Sequence, residues 1–234
     1  MNAIIKKELR VYFNTPIAWV FIAVLMCVSG LFFTMFNLFI GNSSVRVIFG
    51  VLPFVFVIMI PLLTMRLFAE ERSLKTDQLL LTAPINVSAI VWGKFVAAVV
   101  VFGIAVVLMM IYPIILSFYS EVAWGSVMTN NIGFFLLGAA LISIGIFISS
   151  LTENQFTAGI ITIAVLLVMF LLSGISVSSG YESIDKVMSY IGILKAFDRF
   201  YIGIINLVDV LYYLSITLIF VLLTVFRIER RRVK

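Results

Sequence analysis

The chain has 234 residues, 63% of them hydrophobic and 12% charged, where a soluble domain of ordinary composition carries about a quarter charged residues. Its mean hydropathy is +1.23, so most of its surface faces something other than water. There is no His and a single Cys, which argues against a His-ligated haem protein, an embedded metalloprotease, a disulfide framework and a thiol metal site.

Apolar runs of 18 or more residues identify transmembrane helices, because about 20 residues at ~1.5 Å each cross the hydrocarbon core. Alternating ten-residue segments of a membrane barrel are not found. Residues 1–16 are amphipathic, with Ile5, Leu9 and Tyr12/Phe13 on one helical face and Lys6, Lys7 and Arg10 on the other. This predicts a helix lying in the interface plane, its lysines toward anionic headgroups; the alternative is a polar tail carrying stop charges. The first span, 17–40, has no charged residue, and it is too long for a cleaved signal peptide. A turn at Gly41-Asn42-Ser43-Ser44 leads to the second span, 47–65, where Pro53 and Pro61 predict kinks. A charged loop, 66–94, is followed by the third span, 95–118, with Pro113 near its far end. The fourth span is 132–150, and the short turn Leu151–Phe156, LTENQF, makes it an antiparallel neighbour of the fifth, 157–175. Residues 176–207 have mixed amphipathic character, with Tyr190, Ile193 and Phe197 at helical spacing, and read as a re-entrant region whose charges Lys186, Lys195, Asp198 and Arg199 face water or headgroups. The sixth span is 208–226, before the basic end RIERRRVK. No internal repeat is evident. The reading is an all-α integral membrane protein.

Six spans place both termini on one side. That side holds Lys6, Lys7, Arg10, Arg66, Arg72, Lys75, Lys94, Arg227, Arg230, Arg231, Arg232 and Lys234, the other only Arg46, Lys186, Lys195 and Arg199. Twelve against four predicts cytoplasmic termini in the cell membrane. The net charge of +5 is accounted for by this asymmetry, with no nucleic-acid surface.

The cytoplasmic loop is more organised than a connector requires. Phe68, Ala69, Glu70, Glu71 and Arg72 can continue the second span out of the bilayer. Thr76 can then cap a short helix with Asp77 in its first turn, Leu79, Leu80 and Leu81 on its body and Pro84 as its stop. Asn86 can cap a further helix through Val87, Ile90 and Val91 into Lys94. Three leucines on a helix parallel to the membrane need a partner: a groove in another protein, or the bases of the spans. The chain has no nucleotide site of its own, since Gly93-Lys94 is preceded by Ser88 and followed by Phe95 where a phosphate loop needs Gly and Ser or Thr.

Four stretches carry a resemblance: KKELRVYFNTPIAWVF (6–21), PLLTMRLFAEERSLKTDQLLLTAPINVSAIVWGKF (61–95), ISSLTENQFTAG (148–159) and DRFYIGIINLVDVLYYLS (198–215). The chain resembles the permease subunit of type-2 ABC exporters, in the six-span branch found with gliding-motility and nitrous-oxide-reductase maturation systems. It departs from that family at Lys75-Thr76-Asp77, where members carry a Gly-Thr-Glu type sequence. The resemblance implies that residues 76–83 are the coupling helix, with Glu70, Glu71 and Arg72 at its approach and the N-terminal helix beside it. It also implies two copies of a cytoplasmic ABC ATPase, which would bind ATP and Mg, and a second permease copy or homologous permease around a central route. No cofactor is expected in this chain.

Other features have two readings each. Glu153, Asn154 and Gln155 form a second cytoplasmic contact, or the turn caps the fifth span with Thr152 as the cap. Gly138, Ser143 and Gly145 pack the fourth span within the bundle or line a permease dimer. Asp209 acts in transport, or satisfies the dipole at the start of the sixth span. The rival functions are a gradient-driven transporter or channel, which would show mid-depth charges, and a membrane scaffold for a cytoplasmic partner. An embedded enzyme lacks any acid pair or Ser-Lys arrangement to support it.

Overall fold

The computed structural model describes residues 1–41, 44–76, 86–175 and 192–232. Among them the regular elements are helical: α1 (Asn2–Asn14), α2 (Pro16–Phe33, extended by a π-helical turn Thr34–Phe39), α3 (Arg46–Thr64), α4 (Arg66–Ser73), α5 (Val87–Leu108), α6 (Ile111–Leu116), α7 (Trp124–Leu151), α8 (Gln155–Ile175), α9 (Ile193–Ile202) and α10 (Leu207–Arg232). Six continuous stretches are long and apolar enough to cross a membrane: Pro16–Phe39, Arg46–Ser73, Val87–Leu116, Trp124–Leu151, Gln155–Ser173 and Leu207–Arg231. The protein is a multi-pass, all-α membrane protein.

Proline places the breaks. Thr15 precedes Pro16, and the ring's clash with the preceding residue holds Thr15 extended at φ −102°, ψ 156°. That residue is the corner between α1 and the first span. The second span runs through Pro53 and Pro61 as one helix and is interrupted at Met65, a turn beyond Pro61, whose carbonyl accepts the Met65 N–H at 2.8 Å. The third span breaks at Met109–Met110 because Pro113 supplies no N–H to the Met109 carbonyl and its ring crowds that group. The third span starts at Val87, eight residues before its apolar run, and the fourth starts at Trp124, eight residues before its own. In both, polar residues ahead of the apolar run are taken into the bundle: Lys94, Thr129, Asn130 and Asn131 are buried.

The fourth span, α7, is the axis. It is the most enclosed of the six and packs against α3, α4, α5, α8, α9 and α10, while α2 lies outside against α3 and α5. Lipid is as apolar as the core, so close approach and interlocking shape, rather than escape from water, hold such helices together. The small residues of α7 supply that approach. A Cβ at Gly138 would collide with the Phe102 ring, one at Gly145 with the Thr64 hydroxyl, and one at Gly133 with Phe200. Phe102, Phe56 and Phe134 interlock around this seam, with centroids 4.5–5.9 Å apart. Ser143 is buried and donates to the Ala140 carbonyl at 2.6 Å.

In the stretch before the sixth span, α9 buries Ile193, Ala196, Phe197 and Phe200. Tyr190 and Lys186 lie outside the described residues. The helix closes at Gly203, left-handed at φ +96°, and its Arg199 turns to Asp209 at the start of α10.

Candidate functional site

The end of the bundle that carries α1, α4 and the start of α5, called the base below, concentrates the charged side chains. Along α1 the inward residues are Ile4, Glu8 and Tyr12, one every four positions. Of the expected apolar face, Tyr12 is buried, but Ile5, Leu9 and Phe13 are only half-buried, and Glu8 lies inside instead. Lysines Lys6 and Lys7 are exposed as expected. Two features of α5 explain the inward Glu8. Gly93 lets α1 lie against it so closely that a Cβ there would be 2.8 Å from the Ile4 methyl, and Lys94, 1% exposed, needs a carboxylate.

The Lys94 ammonium is fully engaged. It donates to the Leu67 carbonyl at 2.6 Å, meets Glu71 Oε1 at 2.9 Å and Glu8 Oε1 at 3.2 Å, and stands 5.0 Å from the Phe68 ring centroid. Lys7 adds a second ammonium at 3.1 Å from Glu71 and 3.4 Å from Glu8. Two lysines and two glutamates therefore neutralise one another, which is the condition for holding charge away from water. Burial works against the charge on Lys7, but Glu71 and Glu8 outweigh it and raise its pKa. Burial, with Glu8 adding to it, pushes the Tyr12 phenol well above its ordinary value, so it stays neutral and donates to the Leu63 carbonyl at 2.7 Å. The cluster fastens α1, α4 and α5 to one another, and Tyr12 ties α1 to α3.

Further bonds attach α4 to the axis. Ser149 donates to the Met65 carbonyl at 3.0 Å and accepts the N–H groups of Phe68 and Ala69, both at 3.2 Å. The helix break at Met65 is thereby satisfied by one hydroxyl from α7. Arg66 and Glu70 form a two-point pair at 2.5 and 2.9 Å. Arg72 reaches Glu153 at 2.5 Å and the Leu151 carbonyl at 3.2 Å, joining α4 to the turn between the fourth and fifth spans. A cavity of about 300 Å³ remains between α1 and α4, lined by Tyr12, Thr15, Arg66, Glu70, Glu71 and Thr76 among others.

Helix α4 ends in a Schellman motif: the Thr76 N–H bonds the Glu71 carbonyl at 2.9 Å and the Lys75 N–H the Arg72 carbonyl at 3.1 Å. Lys75 is left-handed, φ +55°, at the very position where the resembled family carries glycine. Thr76 completes this closure, its hydroxyl donating to the Glu71 carbonyl at 3.1 Å.

Of the residues expected to couple, Glu70, Glu71 and Arg72 are therefore on α4 and face other parts of this chain. Asp77, Leu79, Leu80, Leu81 and Pro84 lie outside the described residues. Asn86 precedes α5 in extended conformation without a side-chain cap bond. Glu153 meets Arg72. Asn154, not Thr152, caps α8, accepting the Phe156 N–H at 2.8 Å; Thr152 instead bonds back to Ile148 at 3.4 Å, closing α7. Gln155 is the first residue of α8. Gly138, Ser143 and Gly145 face helices of the same chain. Sequence reading passed over Glu8 and gave Lys94 no side-chain partner. The signal was there: an acid on the inward spacing of α1, and a lysine beginning an apolar helix.

Two more regions stand away from the base. A groove of about 810 Å³ runs between α3, α8 and α9, walled by Phe54, Ile58, Leu167 and Leu171 and ending at Lys195 and Asp198. At the far end Asp209, 1% exposed, receives both Nε (2.6 Å) and Nη2 of Arg199, beside a cavity of about 610 Å³. The hydrogen bonds that Arg199 donates to Asp209 raise the Arg199 pKa. Among the described residues no cluster of His, Cys, Asp or Glu forms a metal site.

A family model described as ABC-2 family transporter protein matches residues 39–228. No curated protein matches the chain. The match takes in α4, the turn at 151–155 and the whole of α7, the elements that Arg72, Glu153 and Ser149 join, and the permeases of that family generally pair with an ABC ATPase. The chain belongs to the ABC-2 transporter family and is a membrane permease component.

Proposed function

We propose that this permease works in an ATP-driven exporter of the gliding-motility and nitrous-oxide-reductase maturation branch. The segment after α4, residues 76–83, is its coupling helix. Two ABC ATPase subunits, binding ATP and Mg, dock on the cytoplasmic face, where both termini lie. A second copy of the permease, or a homologue, completes the route.

The observation that carries this reading is the ion-pair cluster of Lys94, Glu71, Glu8 and Lys7. A loop that merely connected two spans would need no such fixture. Here both flanks of the loop, α4 before it and α5 after it, are held to each other and to α1 through Lys94. A displacement delivered by an ATPase to residues 76–83 moves α1, α4 and α5 as one body. Ser149 and the Arg72–Glu153 pair pass that movement to α7 and α8, the axis and its neighbour. The apolar groove between α3 and α8, with charged residues at its end, suits an amphiphilic cargo or the paired permease.

The test is purification from native membranes in mild detergent, with identification of bound proteins and assay of ATP hydrolysis. Wild type is expected to carry an ABC ATPase. Leu80→Asp, which charges the apolar body of the coupling helix, is expected to lose it or to uncouple its hydrolysis. A wild-type protein that brings down no ABC ATPase in native lipids contradicts the proposal and returns the gradient-driven and scaffold functions.

A further inference from the structure

The far end carries a polar cavity that the transport reading does not use. It measures about 360 Å³ and lies among the first turns of α7 and the start of α3, lined by Ser44, Arg46, Glu121, Ser126, Val127 and Asn130 among others. Three observations make it a binding site rather than a gap between helices.

Asn130 is 1% exposed, and its Oδ1 has no hydrogen-bond partner among the described residues. Leaving a buried acceptor unpaired costs about 1–3 kcal/mol, and Asn130 is one of the residues that line the cavity. The α7 N-terminus beside it has no side-chain cap, so first-turn N–H groups and the positive end of a 28-residue helix face the same space. Arg46 and Glu121 stand on its walls as separate charges: Arg46 Nε donates to Ser126 at 3.0 Å, and Glu121 is exposed and makes no ion pair among the described residues.

The donors and acceptors are therefore sorted. Arg46 and the α7 amides offer hydrogens and positive potential; Glu121 and Asn130 Oδ1 offer lone pairs. A ligand that satisfies both sets carries an anionic oxygen group and a protonated amine. Beside the cavity, the ends of the first and third spans expose Phe39, Ile40, Phe118 and Tyr119, at 83%, 68%, 81% and 80%. Of these, Tyr119 is of the kind enriched where headgroups meet hydrocarbon, and the others are apolar surface that suits acyl chains. We propose that this cavity binds a phosphate-and-ammonium zwitterion, the headgroup of an ethanolamine phospholipid in the leaflet away from the termini. The phosphate faces Arg46 and the α7 N-terminus. The ammonium donates to Glu121 and to Asn130 Oδ1.

The test uses the purified full chain in detergent. Binding of short-chain phosphatidylethanolamine, short-chain phosphatidylglycerol and free phosphoethanolamine is followed by calorimetry or native mass spectrometry. Wild type is expected to bind the ethanolamine lipid about tenfold more tightly than the glycerol lipid, the worth of one charge-assisted hydrogen bond. Glu121→Gln removes a charge that no described residue pairs with, and is expected to abolish that preference while leaving the fold unchanged. Arg46→Gln is expected to weaken both lipids. If free phosphoethanolamine binds as tightly as the lipid, the zwitterion site stands but its source is soluble. Equal affinity for the two lipids in wild type, or an unchanged preference in Glu121→Gln, overturns the proposal.

Discussion

Replacing Lys94 by methionine keeps most of the side chain's length and removes its charge. Lys94 is almost wholly enclosed, at 1% exposure, while the Glu8 and Glu71 side chains are 8% and 18% exposed. The substitution leaves two poorly hydrated carboxylates facing one ammonium, that of Lys7, which is itself 52% exposed. It also leaves the Leu67 carbonyl without its donor. Removing one partner of a buried ion pair costs about 3–5 kcal/mol. For a chain of this size each kcal/mol shifts the midpoint by about 2–4 °C, so a fall of roughly 6–20 °C is expected. Thermal unfolding in detergent, followed by intrinsic fluorescence, measures it. The companion variant Glu8→Gln separates charge from packing: combined with Lys94→Met it restores neutrality, and the pair is expected to recover about 1–3 kcal/mol relative to the sum of the singles. A Lys94→Met midpoint within 2 °C of wild type, or strictly additive singles, would refute the view that this cluster fastens the base.

Three other predictions rest on separate features. Lys75→Gly relieves a left-handed residue and is expected to stabilise the protein by about 0.5–1 kcal/mol, a rise of ~1–4 °C in the midpoint; a fall would show that the Schellman closure does not hold in the membrane. Gly138→Ala drives a methyl into the buried Phe102 ring and is expected to cost about 1–3 kcal/mol, whereas Gly125→Ala, which meets nothing within 4 Å, should change stability by less than about 0.5 kcal/mol. Burial raises the Asp198 carboxyl above its ordinary 3.8, partly offset by Lys195. The folded state thus binds this proton more tightly than the unfolded one. Stability falls as pH rises from 3.8 through the folded value, and Asp198→Asn should remove that portion of the pH dependence of the midpoint.

The architecture was legible because lipid enforces long apolar runs, and those runs are visible without any structure. Helix ends were less so. The start of α5 at Val87 was marked by Asn86, but nothing before Asn131 marked the start of α7 at Trp124, and the partners that let Lys94 and Asn131 be buried are distant in sequence. The direction of α1 was half legible: its periodicity showed an amphipathic helix, but the choice between the Ile5 and the Ile4 faces depended on Gly93 and Lys94, some ninety positions away. The same holds for the turn at 151–155. Thr152 and Asn154 are both good caps by composition, and only the path of the chain decides that Asn154 takes the role. At the base, Glu70, Glu71 and Arg72 were singled out for a partner protein, and the fold shows how much of their charge is spent within the chain. The left-handed Lys75 was legible only through the glycine that the resembled family places there.

The central claim is that movement enters this permease through the segment after α4. The most direct measurement places a photo-crosslinking residue at Leu80, and in a second variant at Phe118 on the far end, in cells, and identifies the adducts by mass spectrometry. The account predicts an adduct with an ABC ATPase from position 80 and none from position 118. An adduct from 80 confined to this chain or to lipid, in protein that is intact in the membrane, would contradict it.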